Sequence, residues 1–124
     1  MIEFFDTDYC SGSVAIYDSH ITFSKNMVKY FQEAFKARVG VDRDNKLIYV
    51  YPLNKDTALS GEIPESSLLS ISISKSYARI CSRALVGYLS NIFNLVIGKK
   101  EFVRYSTSFD DVKKAIVIDM GGQL

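Results

Sequence analysis

Two cations each follow a serine at the start of an amphipathic run. Lys25 comes directly after Ser24, and Arg83 comes directly after Ser82. A serine in this position is a good helix N-cap, so each cation is predicted to lie in a first helical turn. The helix dipole disfavours a cation there by about 0.3–1 kcal/mol, whereas free amides beside a cation can bind phosphate. The alternative is a solvated charge without a function.

His20 is the only histidine of the chain, and Cys10 and Cys81 are its only cysteines. A histidine beside a thiol could act as base and nucleophile, but no third group that would orient the base is evident. The cysteines lack CxxC spacing, so neither a zinc site nor a disulfide framework is indicated. The sequence favours a strand histidine and two half-buried, reduced thiols.

Two pairs of aspartates could form carboxylate pairs or metal sites: Asp42 with Asp44, and Asp110 with Asp111. Both pairs lie in predicted hairpin loops, where aspartates commonly accept turn hydrogen bonds. The common phosphate, dinucleotide, hydrolase and zinc-protease motifs are absent from the sequence. We therefore predict that the protein is not an enzyme and uses no cofactor or metal.

The elements that position these residues follow the same series in both halves of the chain. Apolar periodicity and turn residues predict two strands, a helix and a hairpin in each half. In the first half they cover 13–17, 20–23, 26–36, 37–41 and 46–51, and in the second 69–73, 77–81, 84–97, 102–107 and 115–120. Pro52 is expected to end strand pairing because it has no amide hydrogen. The polar stretch 54–67 is expected to be a linker.

The two predicted helices align without a gap from Ser24 and from Ser82. Serine, valine, tyrosine and phenylalanine recur at the same places, and the cations Lys25 and Arg83 coincide. Any two amphipathic helices share apolar spacing, which is the alternative to duplication. The pattern predicts a single domain, 1–124, with an internal repeat at about 13–53 and about 68–120.

In the first half, a strand from His20 to Ser24 leads into the helix, Met27 and Phe31 are helix anchors, and a hairpin runs from Arg38 to Val50. This unit resembles the swapped-hairpin domain of AbrB/MazE-type regulators and antitoxins. Ser24 and Ser82 stand where that family has a proline. Two units in one chain are similar to the tandem MraZ arrangement. The resemblance implies a DNA-binding regulator.

Together these patterns predict an α+β fold. A duplicated strand, strand, helix and hairpin unit would form a pseudo-twofold sheet or barrel with two main helices. The apolar faces of the helices predict that Phe31, Phe35, Leu89 and Phe93 lie in the core.

The charges nearly balance, with 15 Lys plus Arg against 14 Asp plus Glu and a net charge of +1. This gives no strong basic signature of nucleic-acid binding. Residues 1–24 are acidic, because they contain Glu3, Asp6, Asp8 and Asp18 and neither Lys nor Arg. No signal-peptide pattern or long apolar run is present. We therefore expect a cytoplasmic protein with no membrane partner. We also expect a homo-oligomer.

Two functions agree with these features. The first is a small non-enzymatic DNA-binding regulator, with Lys25, Arg83, Arg38 and Arg79 as DNA-binding residues on a face opposite the acidic segment. The second is a protein-interaction or self-associating module of the kind that phages or mobile elements encode. The eight tyrosines among Lys and Arg would suit base stacking, although tyrosines also line core edges and protein interfaces.

Overall fold

The structure, a computed structural model, describes residues 1–4 and 12–124 and is built mainly of β-strands. The strands are β1 (Ser13–Tyr17), β2 (His20–Phe23), β3 (Lys36–Asp42), β4 (Leu47–Leu53), β5 (Ser72–Ile73), β6 (Ala78–Cys81), β7 (Phe102–Asp110) and β8 (Ala115–Gln123). The helices are α1 (Lys55–Ala58), α2 (Arg83–Phe93) and two 3-10 helices, Lys25–Phe31 and Glu65–Ser67. Cys10, Asp6 and Asp8 lie outside the described residues.

All eight strands belong to one antiparallel sheet in the order β3-β4-β8-β7-β1-β2-β6-β5. The sheet curls until its two edges meet. Ala37, on the β3 edge, exchanges two backbone hydrogen bonds of 2.9 and 2.8 Å with Leu69, which lies just before β5 on the other edge. A sheet that curls in this way encloses its inner face.

The predicted α+β fold with two main helices is wrong. Strands make up 41% of the structure and helices 21%, and all the helices are short. The predicted helix 26–36 is instead a 3-10 helix that ends at Phe31. Ser24 does not cap it, because its hydroxyl accepts from the Ser13 amide at 2.9 Å and donates to Asn26 Oδ1 at 2.6 Å. By Phe35, whose amide donates to Leu53 O at 2.7 Å, the chain has already joined the sheet.

The second predicted helix forms α2, and its N-cap is confirmed. The Ser82 hydroxyl accepts from the Leu85 amide at 3.1 Å, as a capping serine should. The helix ends earlier than the predicted Ile97, because Asn94 adopts the left-handed conformation at φ 57° and its amide donates to the Ser90 carbonyl. Asparagine is one of the few residues that tolerate this conformation, which terminates helices.

The hairpin predictions are confirmed at β3–β4 and β7–β8, but three neighbouring predictions need correction. Pro52 does not end the pairing: it lies inside β4, opposite Ala37. The β4–β8 pairing has already stopped at Val50, so the missing amide hydrogen of Pro52 costs no bond on that side. The strand predicted from Leu69 to Ile73 is reduced to the two residues of β5, and the linker 54–67 contains α1 and the second 3-10 helix.

The core lies on the inner face of the sheet and beneath the helices. Phe31 and Leu89 are fully buried, as predicted. Phe93 is only partly buried, packed against the core. Phe35 is 43% exposed, so its predicted core position is wrong. The cause is the early end of the 3-10 helix, which removes Phe35 from the buried helical face.

Each half of the chain packs against the other. β2 pairs with β6, and β4 pairs with β8. The helix α2 packs on β2, and the first 3-10 helix packs on β6. These pairings show why the outer face of the sheet combines residues that are far apart in sequence.

Candidate nucleic-acid interface

Three aromatic rings line up on the outer face of the sheet where β1 ends. Tyr17 pairs with Phe102 across β1 and β7, and Tyr17 and His20 flank the two-residue turn between β1 and β2. The Tyr17 and His20 rings stack at 4.4 Å between centroids and 17° between planes, and the Tyr17 and Phe102 rings lie 5.2 Å apart at 36°. We call these three residues the ring stack. Phe102 is 45% exposed, so the stack is open to solvent.

An arginine flanks the ring stack on each side. The Arg104 guanidinium lies 5.4 Å from the Phe102 ring centroid. On the other side, Arg79 Nε donates to Thr22 Oγ1 at 3.3 Å, and its guanidinium lies 4.7 Å from the Tyr77 ring centroid. Both arginines point outward because alternate residues of β6 and β7 face the core. Aromatic faces between guanidinium groups are typical of single-strand binding surfaces.

The surroundings of His20 lower the pKa of its imidazole. Burial lowers its pKa below 6.5, the nearby Arg79 charge lowers it further, and Asp18 raises it to a smaller extent. The Ser19 hydroxyl is 3.1 Å from His20 Nδ1. At neutral pH the ring is therefore uncharged, which suits its place in an aromatic stack.

Further cations cluster at the same end of the sheet. β6 ends opposite His20 and leads into α2, while β7 begins opposite Tyr17 after a turn. Among the described residues, this placement gathers five cations and two acids around the ring stack: Arg79, Arg83, Lys99, Lys100 and Arg104, with Asp18 and Glu101. The local charge is positive although the whole chain is nearly neutral.

The four predicted DNA-binding residues do not form one face. Arg79 and Arg83 lie at the end of the sheet that carries the ring stack. Lys25 follows β2 at the opposite end of the β2–β6 pair. Arg38 lies on the edge strand β3, opposite Tyr51. Sequence reasoning missed Tyr17, Phe102 and Arg104, although their alternation with apolar residues marks them as one face of their strands.

Arg38 belongs to a second aromatic area on β3 and β4. Tyr49 and Tyr51 are stacked with centroids 6.4 Å apart, and Lys113 Nζ lies 4.3 Å from the Tyr49 centroid. A hydrogen bond from Lys113 to Tyr49 raises the pKa of this lysine. These two rings lie on one strand and stack on each other. Unlike the ring stack, they do not form a row of rings across several strands with an arginine on each side.

The histidine, cysteine and aspartates considered for catalysis do not form a catalytic pair among the described residues. His20 and Cys81 are cross-strand neighbours, but no hydrogen bond joins them among the described residues. Asp42 accepts from Asn45, which lowers the pKa of Asp42, and Asp110 accepts from the amides of Val112 and Lys113. Both are turn hydrogen bonds, as the sequence predicted.

Metal-binding clusters and membrane-spanning helices are both absent from the described residues. Residues 1–4 and 12–124 contain no cluster of three or more His, Cys, Asp or Glu residues arranged to hold a metal ion. Within the same ranges, no helix has the length and apolar character needed to cross a membrane.

Comparison of the chain with protein-family models, with curated proteins and with solved structures gave no match. The resemblance to the AbrB/MazE-type domains and the tandem MraZ arrangement stays a prediction.

Proposed function

We propose that this protein is a non-enzymatic nucleic-acid-binding protein that holds single-stranded DNA against the ring stack. The observation that supports this function is the solvent-open alignment of Phe102, Tyr17 and His20 between Arg104 and Arg79. A sequence-tolerant contact is expected, because every base has a π-face that can stack.

The geometry suggests how a strand would lie. Tyr17 is covered on both faces by its neighbours, so bases would stack at the ends of the row, on Phe102 and His20. Arg79 uses its Nε for Thr22, which leaves the two terminal nitrogens to donate to a phosphate. Arg83, Lys99 and Lys100 would extend the positive surface along the strand.

The first experiment measures binding of a fluorescent single-stranded oligonucleotide to Phe102→Leu and to Phe35→Leu. These two phenylalanines are 45% and 43% exposed, so both substitutions should perturb folding little. Stacking on one aromatic side chain contributes about 1–3 kcal/mol per base. We expect Phe102→Leu to weaken binding by about fivefold or more, and Phe35→Leu to leave it unchanged. Equal affinity of the two variants would contradict the proposal.

A second experiment measures the salt dependence. Each phosphate contact to a single strand contributes about 0.7 to the slope of log affinity against log salt concentration. Arg104→Met should reduce the slope by that amount, whereas Arg38→Met should not. Tighter binding of duplex than of single strand would favour the duplex-binding regulator predicted from the sequence.

The reactivity of the Cys81 thiol can report whether an oligonucleotide covers the ring stack. It is exposed and lies directly across from His20. In a Cys10→Ser background, oligonucleotide should slow the reaction of Cys81 with a maleimide if the strand covers the ring stack. An unchanged reaction rate at saturating oligonucleotide would place the strand elsewhere.

A second candidate is a protein-interaction or self-associating module, which would account for the expected homo-oligomer. It is favoured by an open groove of about 650 Å³ lined by Phe35, Leu59, Ile63 and Leu68, among others. Leu59 is 63% exposed there. If this candidate is correct, Leu59→Asp should lower the mass measured by light scattering and leave oligonucleotide binding unchanged.

A further inference from the structure

A smaller cavity lies away from the ring stack, where α2 ends. It has a volume of about 240 Å³ and is bounded by the end of α2, the turn between β3 and β4, and strands β7 and β8. The turn is tied to β8 by a hydrogen bond of 2.9 Å from the Met120 amide to the Lys46 carbonyl. The volume is below the ~300–1,000 Å³ of pockets for drug-sized ligands, so an occupant must be small.

A tyrosine lines the cavity. Tyr105 is only 3% exposed, and within the described ranges its hydroxyl has no hydrogen-bond partner. Burial raises the pKa of this phenol, so it stays protonated and keeps a hydrogen to donate. A ligand in the cavity that accepts this hydrogen bond would give the hydroxyl the partner that it lacks among the described residues.

Two cations lie at the mouth of the cavity. Arg43 and Lys46 are both exposed residues of the β3–β4 turn, and no salt bridge joins either to an acid in the part of the chain that the structure describes. The Asp42 carboxylate in the same turn is already bonded to Asn45. The walls between the cations and Tyr105 include Ile92, Phe93 and Met120, which are apolar.

We propose that this cavity binds a small organic anion with an apolar body. Its carboxylate or phosphate would contact Arg43 and Lys46, because a guanidinium binds either group in a bidentate manner. The apolar body would pack against Phe93 and Met120, and an acceptor atom would take the Tyr105 hydrogen. The proposal is independent of the nucleic-acid function, since none of these residues belongs to the ring stack.

The test uses benzoate and phenyl phosphate as the two anionic probes and benzyl alcohol as the neutral control. Binding to the full chain is followed by amide chemical shifts in NMR titrations. We expect either anion, or both, to shift the amides of 43–46 and 92–94 and to bind at least about tenfold more tightly than benzyl alcohol. The preference between the anions then identifies the head group.

Variants separate the contributions. Arg43→Met combined with Lys46→Met should reduce the affinity for the preferred anion by about tenfold or more and leave benzyl alcohol binding unchanged. Arg38→Met, whose cation lies outside the cavity, should leave the affinity for the anion unchanged.

Three results would overturn the proposal: no binding of either anion at millimolar concentration, shifts confined to other parts of the chain, or undiminished binding by the double variant. Because Arg43 and Lys46 are exposed, the double variant should fold, and its amide spectrum shows whether it does.

Discussion

At the scale of single residues, Thr107 has a buried hydroxyl that makes no hydrogen bond to any described residue. Thr107 is 2% exposed on the inner face of β7, and its Oγ1 has no partner among residues 1–4 and 12–124. Its backbone amide is satisfied, since it donates to the Gly12 carbonyl at 2.9 Å. A buried polar atom without a partner costs about 1–3 kcal/mol.

Valine has the shape of threonine without the hydroxyl, so Thr107→Val should stabilise the fold. We expect the free energy of unfolding to rise by about 1 kcal/mol, measured by urea denaturation. Thr22→Val is the matched control, because Thr22 Oγ1 accepts from Arg79 and this substitution should not stabilise. A loss of stability in Thr107→Val would mean that the hydroxyl has a partner in solution.

His20 gives a pH prediction with a definite sign. Its pKa is lowered in the folded protein, mainly by burial, so the unfolded chain binds the proton first as the pH falls. The stability associated with the neutral ring is present above pH 6.5, the unmodified value, and is lost as the pH falls through the folded-state pKa.

Because the chain has a single histidine, its NMR titration is unambiguous. The midpoint should lie below 6.5 in the folded protein, and should rise towards that value in Arg79→Met because a repelling charge is removed. A midpoint above 6.5 in the wild-type protein would contradict the described environment of the ring.

At the scale of elements, two similar serines have different roles. Ser82 caps α2, whereas Ser24 joins the start of β1 to the first 3-10 helix. Ser82→Ala should therefore reduce the free energy of unfolding by about 0.5–2 kcal/mol and speed hydrogen exchange at the Leu85 amide. Ser90→Ala, within the same helix, should cost nothing, because alanine has the higher helix propensity. Equal losses in both variants would argue against the cap.

The same contrast shows what sequence could and could not predict. Short-range patterns located most strands, since alternation and turn residues are local properties, and they identified the cap at Ser82. They did not distinguish a 3-10 helix from an α-helix after Ser24. The Ser24 hydroxyl, which was expected to cap the helix, accepts instead from the Ser13 amide, and no local pattern shows that contact. The error in helix type also misplaced Phe35.

The candidate site was only partly predictable for a similar reason. Arg79 was identified from its charge, but Tyr17, His20 and Phe102 become neighbours only through the β1–β2 and β1–β7 pairings. Strand order in a sheet is set by long-range packing, and no local pattern in this chain specifies it.

At the scale of the whole molecule, the chain is nearly neutral but its charges are unevenly distributed over the surface. Arg83 lies near the ring stack, and Lys25 lies at the other end of the β2–β6 pair. The two positions therefore give a prediction that differs from the symmetric one made from sequence. Arg83→Ala should weaken oligonucleotide binding and reduce its salt slope, whereas Lys25→Ala should do neither.

Fluorescence anisotropy at several salt concentrations would measure both variants, with melting temperatures as the check that each is folded. If both variants lost the same affinity for the oligonucleotide, the binding surface would include both Lys25 and Arg83, as predicted from the sequence.

The long-range strand pairing also affects how the protein is made. β1 pairs with β7, and β4 pairs with β8. During synthesis, β1 and β4 therefore leave the ribosome before the strands with which they pair. At ~5–20 residues per second, a ribosome needs about 4–14 s to proceed from β4 to the end of β8. During that interval the edges of β1 and β4 lack their later partners, and unpaired edges are templates for aggregation. The yield of folded protein should therefore depend on how well the cell shields the nascent chain.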